Sequence, residues 1–319
     1  MKSPTLLPHF SRPILAAVLG LVVAAAPSAL RAESDDFDDG NDTGWTRYSP
    51  LAPYGVSGVF SFPNGGYRIQ TTSPSPNPTA LGNARTGSLR PGTTYTDFYI
   101  SVDIVNWNDA LPQAAGILAR VGTPGLGMTT GYAFTWSRGS GATGGDMDIS
   151  RIDGETPHGV TVTGNDKYHF TPGQKYRLVF IGKGITLEGR IYALPDVTTP
   201  VVTIIGDDTK PNPYTSGTSG LVVYDNSSAA NNLSDTTFDN WFAGDIEPPK
   251  LTYEFNPSFH EFIIRYPLDY ATGVWTLQGT PSLNAPVTWT DLSTDPVDGK
   301  YYYIEPADSG NKFFRLKRL

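Results

Sequence analysis

The chain has no cysteine, so no disulfide can stabilise its fold. Stability must come from the packing of a core and, if one is bound, from a metal ion. Basic residues are also few: 23 Lys and Arg stand against 31 Asp and Glu, giving a formal net charge of −8. An acidic chain repels nucleic acid and anionic lipid, so we expect neither as a partner. Neutral glycans and cations remain open as ligands.

Long apolar runs are missing after residue 32. Before it, PILAAVLGLVVAAAP follows the positive charges of Lys2 and Arg12, and SALRA ends on the small residue Ala32. This order is that of a secretory signal peptide, and the run is shorter than the roughly 20 residues of a membrane span. We predict cleavage after Ala32. The mature chain should be secreted, periplasmic or at the cell surface, without a membrane span.

A convincing long amphipathic helix pattern is also missing, and apolar residues instead alternate with polar ones. In DFYISVDIVNW, alternation predicts one apolar face, made of Phe98, Ile100, Val102 and Ile104. The other face is more polar and is made of Tyr99, Ser101, Asp103 and Trp107. In GILARV it separates Ile117, Ala119 and Val121 from Leu118 and Arg120. Eight or more such strands predict an all-β fold, an antiparallel jelly-roll sandwich.

Two prolines divide the rest of the chain. Pro248 and Pro249, within GDIEPPK, cannot lie inside a central strand and are typical of a stiff linker. Short strand patterns such as KLTYEF and KFFRLKR follow them. We therefore predict a signal peptide at 1–32, a sandwich at 33–246 and a small β-domain at 247–319.

Four stretches carry a family resemblance: DDFDDG, DFYISVDIVNW followed by AAGILARV, SGTSGLVVYD and TTFDNWFA. With them the main domain resembles the concanavalin A-like lectin/glucanase superfamily, in its laminin-G-like bacterial branch. The tail resembles a C-terminal β-module of bacterial exported proteins, which ends in FFRL (Phe313–Leu316). The resemblance implies a sandwich that binds or cleaves carbohydrate.

Glycoside hydrolases need paired carboxylates, and retaining members of this superfamily carry E-x-D-x-x-E on one strand. In DMDISRIDGE, Asp146 and Asp148 share a strand face, but Arg151 occupies the position of the third acid. The set is incomplete, so a polar strand face is the favoured interpretation. AAGILAR also resembles a Gly-Ile-x-x-Arg strand of sugar-processing domains. Arg120 could then bind a sugar or keto-sugar, or simply face solvent or pair with an acid such as Asp103.

An exposed aromatic ring beside polar groups is the usual arrangement for sugar binding. Trp107 falls on the polar face of its strand and starts the loop NWNDALPQ, so it is the best stacking candidate, although core or loop packing is the competing interpretation. The predicted ligand-binding set is Trp107, Asp103, Arg120 and Asn108.

The acidic stretch DDFDDGNDTGW, Asp35 to Trp45, lies just after the predicted leader. In sandwiches of this kind the first and last strands pair, which would bring Asp36, Asp38 and Asp39 beside Asp239. Calcium prefers six to eight oxygen ligands, so these carboxylates predict one structural Ca²⁺. The alternative is that the aspartates cap turns or face water.

These observations favour an exported, non-catalytic protein that binds a polysaccharide or cell-surface glycan, or another surface partner. Two alternatives remain. One is a carbohydrate-active enzyme that uses the concave sheet, and the other is a structural envelope protein. Oligomeric state is not predicted.

Overall fold

The computed structural model describes residues 32–72, 82–138, 145–227, 233–245, 251–267, 275–283, 287–297, 300–306 and 312–318. Residues 1–31 of the expected signal peptide and the Pro248–Pro249 linker lie outside these ranges. Within them the chain is built from strands and two short 3-10 turns, Ala52–Tyr54 and Pro63–Gly65. None of the helical segments described is long and apolar enough to cross a membrane.

Sheet 1 has nine strands among the described residues. Numbered in chain order, they are β1 (Ala32–Asp35), β3 (Gly58–Ser61), β4 (Tyr67–Thr71), β6 (Phe98–Trp107), β11 (Val162–Gly164), β12 (Tyr176–Lys183), β13 (Thr186–Ala193), β14 (Val202–Asp207) and β16 (Ser234–Gly244). Their spatial order is β11-β14-β13-β12-β6-β16-β4-β3, and β1 also pairs with β16. The first strand therefore pairs with the last strand of the sandwich, as predicted.

Sheet 2 has seven strands in the same described ranges. They are β2 (Thr46–Tyr48), β5 (Arg85–Tyr95), β7 (Gln113–Val121), β8 (Gly131–Ser137), β9 (Asp146–Asp153), β10 (Thr156–Gly159) and β15 (Gly217–Asp225). The order is β10-β9-β8-β7-β15-β5-β2, with every pair antiparallel. The predicted all-β jelly-roll sandwich is confirmed.

Large aromatic rings fill the space between the sheets. Phe134 from sheet 2 lies 5.9 Å from Phe180 of sheet 1, measured between ring centroids, and both are fully buried. A Cβ on Gly189 would lie 2.3 Å from Cε2 of Phe134, so only glycine lets that ring approach sheet 1. Trp45 and Trp241 meet edge-on at 4.8 Å near the strand pair that closes the sandwich. Burial of such rings is the main favourable contribution to folding.

Two smaller antiparallel sheets follow. Sheet 3 has the order β17-β18-β22-β21 and sheet 4 the order β20-β19-β23. The strands are β17 (Thr252–Asn256), β18 (Glu261–Pro267), β19 (Trp275–Thr280), β20 (Thr290–Leu292), β21 (Asp295–Val297), β22 (Lys300–Pro306) and β23 (Phe313–Arg318). Ile264 and Leu277 join the two sheets in a small core.

Sheets 1 and 2 share no strand pairing with sheets 3 and 4 in the part of the chain described. We therefore expect trypsin to cut the folded protein first at Lys250, which adjoins the two prolines, and to leave a stable fragment ending there. Mass spectrometry of a digestion time course measures this. First cuts inside sheets 1 or 2 would contradict two independent domains.

Candidate functional site

A cleft of about 880 Å³ opens on the outer face of sheet 2. Alternation along the strands creates it, because Ile117, Phe134, Ile149 and Val223 point into the core and their neighbours point outward. Six outward residues form its floor: Leu118, Thr135, Asp148, Ser150, Val222 and Tyr224. These residues come from β7, β8, β9 and β15, so the cleft is built on the central strands of the sheet.

The floor combines apolar and polar side chains. Leu118 and Val222 belong to a small apolar cluster on this outer face. Beside them, the Tyr224 phenol forms hydrogen bonds with Thr135 and Ser137, and burial of the phenol raises its pKa. The phenol is thereby kept neutral and fixed in orientation.

Asp148 is the exposed carboxylate of the floor, and it accepts no hydrogen bond from the described residues. Partial exclusion of water by the cleft raises its pKa, and the nearby carboxylate of Asp146 adds to this rise. Asp146 itself is held by Lys167, with Nζ 2.7 Å from Oδ1. Asp148 therefore faces the cleft as an acceptor that no described side chain or backbone N–H satisfies.

Glu155 fixes one wall of the cleft. Its carboxylate accepts hydrogen bonds from Nη2 of Arg85 at 2.9 Å, from the backbone N–H of Gly127 at 2.8 Å and from the hydroxyl of Tyr48. Burial alone would raise the pKa of Glu155, but the hydrogen bonds from Arg85, Tyr48 and Gly127 outweigh it and lower the pKa. The charged carboxylate of Glu155 thus connects three parts of the chain, and its hydrogen-bonding capacity is used by those contacts.

Trp107 does not present a ring to solvent. It is 9% exposed and packs edge-on against Trp136 and Phe170, with each pair of ring centroids 5.6 Å apart. The cause is a β-bulge: Asn106 pairs with Thr237 but Ile104 pairs with the next residue, Phe238, so Val105 is an extra residue. The extra residue reverses the alternation and turns Trp107 inward. The prediction of a free stacking ring at Trp107 is therefore wrong.

Arg120 is turned inward by a second bulge. Val121 pairs with Thr218 and Leu118 with Gly220, so two residues of β7 face one of β15, and the φ of Arg120 is +47°. Arg120 is 2% exposed, and Val121 joins the outer apolar cluster instead of the core.

The Arg120 guanidinium donates hydrogen bonds to the backbone carbonyls of Thr96 (2.7 Å), Gly184 (2.7 Å) and Tyr214 (3.0 Å). It therefore ties loops together and does not line the cleft, which corrects its prediction as a sugar ligand.

Asp103 and Asn108 do not complete the predicted set. Asp103 lies on sheet 1, is 3% exposed and forms a bidentate ion pair with Arg177 at 2.6 and 2.8 Å. It is therefore neither paired with Arg120 nor available to a ligand. Asn108 is exposed, but its side-chain oxygen accepts the N–H of Ala110 in a loop turn. Asp103, Trp107 and Asn108 lie on or next to β6 and Arg120 lies on β7, but the four side chains do not converge on one site.

The aspartates that follow β1 mainly shape turns. Oδ1 of Asp36 accepts the N–H of Asp38 at 3.3 Å, and Oδ1 of Asp39 accepts that of Asn41 at 3.1 Å. The described residues include no group of three or more His, Asp or Glu side chains placed to hold a metal ion. The set Asp36, Asp38, Asp39 and Asp239 does not fit a calcium site in this arrangement, and Ca²⁺ stays a prediction from sequence.

Asp239 nevertheless lies in an acidic environment. It is opposite Asp103 in the β6–β16 pair, and its Oδ1 accepts the N–H of Asn240 at 2.7 Å. Burial raises its pKa to about 6, and repulsion from Asp103 and Asp38 contributes while Lys175 opposes the rise. The charged form of Asp239 is therefore unfavourable in the folded protein.

Sequence reasoning missed the cleft as a site, although one signal was present. The sequence pattern predicts that Asp146 and Asp148 share one strand face, and the structure confirms that alternation in β9. The other floor residues lie on strands distant in sequence, so their meeting depends on strand order.

Comparison with known proteins gives fold neighbours only. No family model matches the chain, and no curated protein matches its sequence. Lectin II from Ulex europaeus is 10% identical, with a TM-score of 0.42 over 68% of this chain and 99% of that one. The CBM2 module of the Lactobacillus casei BL23 phage J-1 evolved Dit is 14% identical, with a TM-score of 0.43 over 69% and 99%.

A GH43 protein from Bacillus licheniformis is 14% identical, with a TM-score of 0.41 over 66% of this chain and 38% of that one. Identities and TM-scores this low say nothing about a ligand or an activity of this chain. The sandwich assignment rests on the strand order described above.

Replacing Asp239 by Asn should stabilise the protein at neutral pH. The folded pKa of about 6 exceeds the value near 4 of an unfolded Asp, so wild-type stability falls as pH rises between these values. We expect the variant to melt above the wild type at pH 7.5 and the two to converge near pH 4. Differential scanning calorimetry measures both. A variant less stable at pH 7.5, with a wild type that calcium stabilises, would favour the cation site instead.

Proposed function

We propose that the chain is an exported, non-catalytic glycan-binding protein whose ligand lies in the cleft of sheet 2. The observation that carries the proposal is the carboxylate of Asp148, which accepts no hydrogen bond from the described residues and lies on a floor that is otherwise apolar or hydroxyl-bearing. Export rests on the leader of residues 1–32, and the polysaccharide or cell-surface glycan is the partner that the sequence already favoured. The same proposal places the main domain in the concanavalin A-like superfamily and, more finely, in its laminin-G-like branch.

The chemistry of a sugar matches this floor. A pyranose has apolar CH faces and a rim of hydroxyls, so it needs apolar contact together with a few oriented hydrogen-bonding groups. Leu118, Ala133 and Val222 provide the apolar contact. Asp148 accepts hydrogen bonds from hydroxyls, and Ser150 can donate or accept.

The proposal of a binding protein follows from the state of the other acids around the cleft. Glycoside hydrolysis requires a general acid and a second carboxylate, about 5 to 10 Å apart. The raised pKa of Asp148 suits a general acid. However, Glu155 is held by Arg85 and Asp146 by Lys167, so among the described residues of the cleft neither is free to act as its partner.

Asp148→Ala should weaken glycan binding without harming the fold. A hydrogen bond to a charged group contributes about 1.5–3 kcal/mol, which corresponds to about 10- to 100-fold in affinity. A glycan array on the mature protein selects the ligand, and titration calorimetry compares the affinities. Asp39→Asn, which keeps its turn hydrogen bond, is the control and should bind as the wild type does. Equal affinity of the wild type and Asp148→Ala would remove the cleft floor from the proposed site.

Incubation of the mature protein with the selected glycan should release no reducing ends. A steady release that Asp148→Ala abolishes would establish the enzyme alternative. If the array and the incubation are both negative, the structural envelope role becomes the better explanation.

A further inference from the structure

The charged groups that line the cleft of sheet 2 do not balance. Among the described residues of its lining, the charged ones are Arg85, Asp148 and Glu155. Arg85 and Glu155 neutralise each other, since Nη2 of Arg85 lies 2.9 Å from Oε2 of Glu155 and its Nε lies 3.3 Å from Oε1. Within that described lining, the negative charge of Asp148 is therefore left uncompensated.

The surroundings of Asp148 add to this negative charge. Asp146 and Asp166 share one cation, because Nζ of Lys167 lies 2.7 Å from Oδ1 of Asp146 and 3.3 Å from Oδ2 of Asp166. Burial raises the pKa of Asp148, and repulsion from these two carboxylates adds to the rise while Lys167 opposes it. Three carboxylates against one ammonium leave this end of the cleft negative.

Neighbouring segments of the chain do not supply a further cation. Residues 139–144 connect β8 to β9 and residues 228–232 follow β15, and neither segment contains Lys, Arg or His. The excess negative charge beside Asp148 is therefore also a feature of the sequence around the floor strands.

Hydroxyl groups lie beside Asp148 on the same face of the sheet. Thr135 is directly opposite Asp148 in the β8–β9 pair, and Ser150 is two residues further along β9. Side chains in these positions have Cβ atoms about 5 to 7 Å apart, so one bound group can reach all three. A carboxylate and two hydroxyls offer several acceptor oxygens. They complement a protonated amine, which has three N–H donors and no acceptor.

We propose that the ligand of the cleft is an amino-sugar polymer whose amino groups are free and protonated. The inference rests on the proposed function, because it names the ligand class of that same cleft. An ammonium group would bind Asp148 and offset the excess negative charge, while the apolar faces of the sugar rings contact Leu118 and Val222. The same charges would repel a polymer of uronic acids.

A basic peptide is the other cationic polymer to consider, and the position of the cleft disfavours it. Extended peptides bind to sheets by pairing with an edge strand. The floor strands β15, β7, β8 and β9 each have a hydrogen-bonded neighbour on both sides in sheet 2. Their backbone groups are therefore occupied by the sheet, and they offer a ligand side chains only. Apolar and hydroxyl side chains suit the CH faces and hydroxyl rim of a sugar.

The test compares two hexamers with the same β-1,4 backbone, glucosamine and N-acetylglucosamine, which differ in charge. Calorimetric titration of the full mature chain at about pH 6, where the glucosamine amines carry protons, gives both affinities. Asp148→Asn removes the charge but keeps an acceptor, and Lys167→Gln removes the compensating cation. Asp39→Asn is the matched control, because Asp39 is exposed and lies outside the cleft lining. Asp148 and Lys167 are exposed as well, so none of these substitutions should affect folding.

We expect the wild type to bind the glucosamine hexamer about tenfold more tightly, because a charge-assisted hydrogen bond is roughly twice as strong as a neutral one. Asp148→Asn should remove this preference, Lys167→Gln should increase it, and Asp39→Asn should leave it unchanged. Added salt should reduce the preference of the wild type, because salt screens the charges of an open cleft.

Equal binding of the two hexamers by the wild type, or a preference that survives Asp148→Asn, would overturn this inference. The cleft proposal would still stand in that case if Asp148→Ala weakened the binding of a neutral glycan. Hexalysine is the third probe. If it bound through Asp148 while neither sugar hexamer did, the ligand would be a basic peptide and the amino-sugar assignment would be wrong.

Discussion

The packing of sheet 1 against sheet 2 is the interaction on which the other features depend. Without disulfides, the sandwich is held mainly by its buried aromatic rings, such as Phe134 against Phe180 and Trp45 against Trp241. Each strand must direct alternate residues into that layer, so the remaining residues face outward. On sheet 2 this outward set becomes the floor of the cleft. The core and the candidate site are therefore two faces of the same strands.

A binding surface also needs walls that keep their shape, and the contacts of Glu155 hold one wall of the cleft in place. Its buried charge is stabilised by Arg85, Tyr48 and the N–H of Gly127, which belong to three separate segments. Asp148, by contrast, accepts no hydrogen bond within the part of the chain that the structure describes. This arrangement is the one expected of a preformed site. Glu155 holds the wall in place when the ligand arrives, and Asp148 on the floor is left to bind it.

The sequence predicted the fold class and part of the core, since alternation in DFYISVDIVNW and GILARV places Ile100 and Ile117 correctly. It failed at Trp107 and Arg120 for one reason. Each lies at or just after a bulge, and a bulge depends on how the neighbouring strand pairs, which local alternation does not contain. Arg120 is also satisfied by carbonyls far along the chain. The cleft was not predicted because its floor residues come together only through the order of the strands in sheet 2.

The central claim is that a glycan occupies the outer face of sheet 2. The most direct measurement is a titration of isotope-labelled mature protein with a soluble oligosaccharide, followed through its assigned backbone amides. We expect shifts concentrated at Thr135, Asp148, Ser150 and Tyr224, all on the cleft floor. Shifts confined to the outer face of sheet 1, around Asp103 and Arg177, would contradict the account.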